Sequence, residues 1–176
     1  MRVSSFKCFT AKLFKALLIL TVAITIWLHL QPAQAFDKMY PPPLSFSNAQ
    51  LMGKDFSGQY LASSEFSNAN LVQANFSNAD LHGAIFSHAT MNGANLHGAD
   101  LTNGMADLVN FADADLTDAV LVDVILLRTA FYHTKIEGAD FTNAILDGLQ
   151  VKQLCAIASG VNSKTGVATR DSLGCK

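Results

Sequence analysis

The chain has 176 residues, half of them hydrophobic, 15% charged, and a formal net charge of −2. That length fits one domain, and a chain without a basic excess does not suit nucleic-acid binding. The charge is also unevenly placed, because four of the twelve basic residues fall within the first fifteen positions.

Arg2, Lys7, Lys12 and Lys15 make a basic n-region, Ala16 to Leu30 an apolar stretch, and Ala33-Gln34-Ala35 a small-residue cleavage site. This predicts a cleaved export signal over residues 1–35, a general secretory route and Phe36 as the mature N-terminus. The competing reading is a retained anchor, which needs about twenty apolar residues. No twin Arg is present, and no Cys stands after the site to accept a lipid. The mature chain of 141 residues then carries eight Lys plus Arg against fourteen Asp plus Glu, a net charge of −6. Nothing in it is apolar enough to span a bilayer, so no membrane insertion is expected after cleavage. Residues 36–45, with Pro41-Pro42-Pro43, read as an extended lead-in that covers the exposed N-terminal end of the repeat region.

From Phe46 to Leu146 every fifth position is Phe, Leu, Met or Ile, with a single Ala at 106, over twenty-one consecutive repeats. Two residues before most of these sits Ala, with Asn or Asp often between. A period of five fits neither a helix, where it rotates side chains by about 140°, nor a straight strand, where it flips them to the other face. The chain must turn once per repeat, which makes a solenoid. Glycines at 53, 83, 93, 98, 138 and 148 all lie two residues after a central position and are expected to serve the bends. The segment Gly104 to Val109, where Ala106 replaces the large residue, is expected to be loosened, with a bulge.

Ala69-Asn70-Leu71, Ala74-Asn75-Phe76, Ala79-Asp80-Leu81, Ala94-Asn95-Leu96 and Ala99-Asp100-Leu101 resemble the pentapeptide-repeat proteins. The resemblance implies an all-β solenoid, a right-handed four-sided β-helix with four repeats per coil, here over residues 46–148 in about five coils. Four sides place Phe46, Phe66 and Phe86 in one column and Leu51, Leu71 and Met91 in the next.

Beyond Leu146 the rhythm stops. Leu149, Val151, Leu154, Ile157 and Ala158 suit a helix of about ten residues closed by Gly160, a cap on the column that opens the C-terminal segment 149–176. Cys8 leaves with the signal, so Cys155 and Cys175 remain, either as a disulfide or as two free thiols. Leu154-Cys155, Gly160, Asn162, Thr165-Gly166, Thr169-Arg170 and Ser172-Leu173-Gly174-Cys175 resemble the C-terminal module of thylakoid-lumen pentapeptide-repeat proteins of cyanobacteria and chloroplasts. That resemblance implies the disulfide and an exported protein of the thylakoid lumen or periplasm. It implies a compartment, not a reaction.

No nucleophile beside a base and no phosphate-cradling glycine loop stands out, so no enzyme, catalytic residue, metal or cofactor is expected. His82, His88, His97 and His133 share no column, and none is expected to have a carboxylate at ligand spacing. Asp113, Asp115, Asp118 and Asp123 form an acidic group on different sides and corners, read as solvated surface. One feature is left. The outward positions of one side read Ser45, Glu65, Ile85, Met105, Ile125 and Ile145, flanked by Leu108 and Leu127. This apolar stripe, about 14 Å long, is either a docking surface for a protein partner or a second copy, or a face covered by the chain's own C-terminal helix or tail. The expected function is a non-enzymatic scaffold or protein-interaction module. The alternative, suggested by other pentapeptide-repeat proteins, is an acidic DNA mimic that inhibits a topoisomerase.

Overall fold

The structure is a computed structural model that describes residues 43–176. The export signal and most of the lead-in lie outside the described residues.

The column is built by pairing each outward residue with the one twenty positions later. The first side carries the parallel bridges Ser45–Glu65, Glu65–Ile85, Ile85–Met105, Met105–Ile125 and Ile125–Ile145. The second side runs from Gln50 to Ala130, the third from Asp55 to Lys135 and the fourth from Tyr60 to Asp140 in the same step. Corner residues, two after a central position, have a left-handed φ near +60°. Gly supplies some of these corners, but fourteen carry a side chain, mostly Asn or Asp, which tolerate that region best. Gly148 is the exception among the six glycines expected in bends: it opens a helix, and its φ is not positive.

One repeat shows why the motif reads as it does, because all five backbone donors are used. The N–H of Leu71 bonds Thr90 in the next coil (2.8 Å), that of Gln73 bonds Asn92 (2.9 Å), and that of Asn75 bonds Lys54 in the previous coil (2.9 Å). Ala74 closes the turn onto Leu71 (3.0 Å). The remaining donor, Val72, goes to the side-chain oxygen of Asn70 (3.3 Å). Asn or Asp before the central residue therefore completes the set.

Ala earns its place at the end of each turn. Turns ending on Ala close with bonds of 2.8–3.1 Å, those ending on Thr129 and Thr134 stretch to 3.2 and 3.5 Å, and those ending on Val109 and Val124 lack the bond. A β-branched side chain is too wide for the position. The bulge expected at Gly104 to Val109 does not form. Bridges through Met105 are intact, and the hydroxyl of Thr129 accepts from Val109 (3.3 Å) and donates to the carbonyl of Ala106, replacing the missing turn bond.

Inside, the central residues stack like on like. Phe46, Phe66 and Phe86 lie at 4.9 Å centroid steps, as do Phe56 and Phe76, and neighbouring members of the two columns meet edge to face. From Leu61 to Phe141 the central residues are buried, and each fully buried Leu or Phe contributes about 1.5–3 kcal/mol.

The C-terminal helix α1 spans Gly148–Cys155, shorter than the ten residues expected. A capping box fixes its start: the Asp147 carboxylate accepts from Leu149 and Gln150, and the Gln150 side chain accepts from Asp147. Gly160 does not close it. That residue passes over Gly138 with φ +80°, where a Cβ would lie 2.8 Å from the Gly138 nitrogen. A second short helix, α2 (Thr169–Ser172), precedes Cys175.

Candidate functional site

On the first side, Ile85, Met105 and Ile125 stand where Asn or Asp would accept the N–H of the residue two ahead. The N–H groups of Ser87, Asp107 and Leu127 accordingly have no hydrogen-bond partner among the described residues. A bond of this kind is worth on the order of 1 kcal/mol, less where water replaces it. The N–H groups of Asn92, Val122 and Tyr132 on other sides likewise have no partner among the described residues, so what sets the stripe apart is its run of large apolar side chains on one side.

Its surface is exposed at some residues and half-buried at others. Met105 and Leu127 are each 38% exposed and Ile145 is 50% exposed, while Ile85, Ile125 and Leu108 are half-buried. The fourth side also carries an outward apolar residue, Val120, and there it is 4% exposed. The adjoining corner between the first and second sides holds two residues poorly suited to left-handed backbone, Leu108 (φ +57°) and Arg128 (φ +59°). Arg128 forms no ion pair among the described residues.

The tail takes a different path from the stripe. Asn162 is 1% exposed, and its amide donates to the carbonyls of Asp118 (3.2 Å), Ala119 (3.2 Å) and Gly138 (2.8 Å). The Ser163 N–H meets the Asp118 carboxylate at 2.6 Å, the Ser163 hydroxyl bonds the same carboxylate, and the Lys164 ammonium donates to the carbonyl of Gly98. These anchors run along the corner between the third and fourth sides, diagonally across from Leu108 and Leu127. Partial burial pushes the Asp118 carboxyl up, but the two Ser163 bonds, with His97 and Lys164 nearby, outweigh it and hold the group below the usual carboxylate range. Cys155 and Cys175 form a disulfide with a Cα–Cα distance of 5.6 Å. It ties the far end of this strap to α1, and Arg170 donates to the Cys155 carbonyl (3.0 Å).

The other polar residues do not converge. His82 lies 3.2 Å from Asp80 and 3.7 Å from Asp100, and His133 lies 3.4 Å from Asp113. Both pairings correct the expectation that no histidine has a carboxylate at such spacing. His133 and Asp113 are twenty residues apart, so they stack one coil above the other. These pairs are exposed and contribute little. Asp115 pairs with Lys135 (3.3 Å). Burial raises its carboxyl, and hydrogen bonds from Thr117 together with Lys135 bring it below the ordinary value. Asp118 holds the strap, and Asp123, at the corner between the fourth and first sides, forms no ion pair among the described residues. No group of three or more His, Cys, Asp or Glu among the described residues could hold a metal ion, and no helix there is long and apolar enough to cross a membrane.

A column that advances one side every five residues and pairs backbone at a step of twenty defines a quadrilateral β-helical repeat protein. The Pentapeptide repeats family model matches it in eight copies, over residues 45–78, 64–103 and 110–148. The chain belongs to the pentapeptide-repeat family, and its column is the right-handed quadrilateral β-helix of that family. A crystal structure of a pentapeptide repeat protein from the Arabidopsis thaliana thylakoid lumen superposes with a TM-score of 0.74 at 43% identity, covering 74% of this chain and 91% of that one. A Nostoc pentapeptide repeat protein shares the fold at 23% identity, with a TM-score of 0.51 and coverage of 66% and 95%. The thylakoid lumenal protein TL20.3 of Arabidopsis is 61% identical over 41 residues, which is 23% of this chain and 15% of that protein. The Arabidopsis thylakoid lumenal 15 kDa protein 1 is 50% identical over 48 residues, covering 27% and 21%. The matched segments thus span about a fifth or less of these two relatives.

Proposed function

We propose that this chain is a non-enzymatic scaffold of the thylakoid lumen that docks a partner protein on the first side of its column of about five coils. The observation that carries the reading is the stripe itself. Ile85, Met105, Ile125 and Ile145 set large apolar side chains outward in four successive coils of one side, and Met105 and Ile145 are exposed where Val120 is covered. The similarity to thylakoid lumenal proteins supports the compartment, as does the export signal read from the sequence. Ile145, the last stripe residue, stands immediately before α1, which carries one half of the disulfide.

The test is site-specific crosslinking. Mature protein with a photoreactive residue at position 125, and a control with the same residue at position 95 on the third side, would be irradiated in a lumenal extract. The expected result is one reproducible adduct at 125, absent at 95 and competed away by unlabelled protein but not by its Ile125→Asp variant. Adducts confined to the protein's own tail, or equal yields at both positions, would remove the first side as a docking surface.

A further inference from the structure

We propose that the occupant of the first side is a second copy of this chain, held as a parallel two-fold dimer in which Arg128 of each copy meets Asp123 of the other. The inference rests on the reading of the first side as a docking surface and names what docks there. Arg128 and Asp123 belong to one rung. The chain enters the first side at the Asp123 corner, crosses through Ile125 and leaves at the Arg128 corner. Both corners are left-handed, with φ of +56° and +59°, and both residues are exposed. Neither forms an ion pair among the described residues. Basic residues are scarce in the column: Lys54, Arg128 and Lys135 are the three between Phe46 and Gly148, and Lys135 is taken by Asp115. One apolar face thus carries a charge of each sign at its two edges, an arrangement that self-association uses twice.

The symmetry follows from the direction of the rung. When two columns lie parallel with their first sides face to face, the two-fold axis between them runs along the columns and the facing rungs are antiparallel. The Arg128 edge of one copy then lies against the Asp123 edge of the other, at the same coil, and the contact is made twice. Each stripe residue meets its own counterpart, so Ile85, Met105, Ile125 and Ile145 form one apolar seam along the axis. At the two preceding coils the edges bring Leu108 to Asn103 and His88 to Gly83, so no like charges meet there. Antiparallel columns also match Ile85 with Ile145 and Met105 with Ile125. They set Arg128 against Leu108 and Asp123 against Asn103, however, which pairs neither charge. The charges therefore select the parallel arrangement. One cost is built in, because Glu65, one coil before Ile85, faces its own counterpart. The face is also narrow, five steps of about 4.8 Å by one rung, which puts the contact among interfaces below about 1,200 Å² and makes the dimer weak.

Sedimentation velocity of the purified, disulfide-bonded mature protein, with no other protein present, tests the pairing. The parent chain should pass from monomer to dimer across about 1 µM to 1 mM. Arg128→Asp and Asp123→Arg should each weaken dimerisation about tenfold or more, since each creates two like-charge contacts across the axis. An equimolar mixture of these two variants should recover an affinity within about threefold of the parent, because their edges are then complementary on both flanks. Glu65→Gln should tighten the dimer. Ile125→Asp should abolish it, with exchange protection at Leu71 and Phe76 showing that the column is folded. A chain that stays monomeric up to about 1 mM overturns the second copy as occupant. If position 125 then still crosslinks to a different protein in the lumenal extract, the docking reading of the first side stands without this inference. Monomer with no specific adduct at 125 removes both. A dimer indifferent to both charge reversals, or a mixture that fails to recover, overturns the parallel pairing, and a dimer that persists in Ile125→Asp lies on another surface and overturns it equally.

Discussion

The hydroxyl of Thr129 occupies the gap between Ala106 and Val109, accepting from the N–H of Val109 and donating to the carbonyl of Ala106 across a separation of twenty-three residues. Thr129→Val keeps the shape and removes both bonds, leaving two buried backbone groups unsatisfied. A loss of about 2–3 kcal/mol is expected in urea denaturation. A loss below about 0.5 kcal/mol would show that the turn closes without the hydroxyl.

Leu108 sets stability against exposure of an apolar surface. Replacing it with Asn, which tolerates left-handed backbone, should raise stability by about 0.5–1 kcal/mol. On the proposal for the first side, the same variant should weaken crosslinking at position 125. A variant that is stabilised and crosslinks as well as the parent would confine Leu108 to a structural role.

Asp118 latches the strap through its charge. A carboxyl with a folded pKa below its unfolded value, about 3.9, contributes fully above that value and loses its contribution as pH falls through the lower folded one. Exchange protection of the Ser163 amide should therefore be flat, as far as this group is concerned, from about pH 8 to 5 and fall below about pH 4. In Asp118→Ala the amide should be unprotected throughout. Unchanged protection in that variant would assign the latch to Asn162 and Lys164 alone.

Cys175→Ser opens a loop whose ends are twenty residues apart in sequence, an expected loss of about 3 kcal/mol from the chain entropy released. Because the strap meets the column from Gly98 onward, faster exchange should be concentrated at Asn162, Thr169 and Gly138, while amides such as Leu71 and Phe76 stay protected. Uniform loss through the first coils would mean that the bridge stabilises the column as a whole.

The hydroxyl of Thr169 is buried and has no hydrogen-bond partner among the described residues. Thr169→Val should be neutral or stabilising by about 1 kcal/mol in thermal or urea unfolding. A clear destabilisation would reveal a bond to that oxygen in solution.

The column was legible because its information is periodic. A five-residue spacing fixes the turn, and the four-repeat coil implied by the family resemblance fixes which residues stack, so the phenylalanine columns could be placed once that resemblance supplied the number of sides. The same arithmetic would have found His133 over Asp113, and the Asp147–Gln150 spacing would have located the start of α1. The strap was not legible. Asn162 reaches Ala119 across forty-three residues, and Lys164 reaches Gly98 across sixty-six, through contacts that obey no period. The Thr129 bridge was hidden for another reason: it depends on a turn that Val109 forces open, which is a matter of side-chain width.

The constant step between coils has a consequence for altered lengths of this chain. Removing twenty residues, one full circuit, would shorten the column by about 4.8 Å and leave every side facing as before. Removing five would advance all later residues by a quarter turn, carrying Ile125 and Ile145 out of line with Ile85. Length and phase are thus independent quantities in this molecule: the number of circuits sets how far apart two surface features lie, and the remainder sets whether they face the same way.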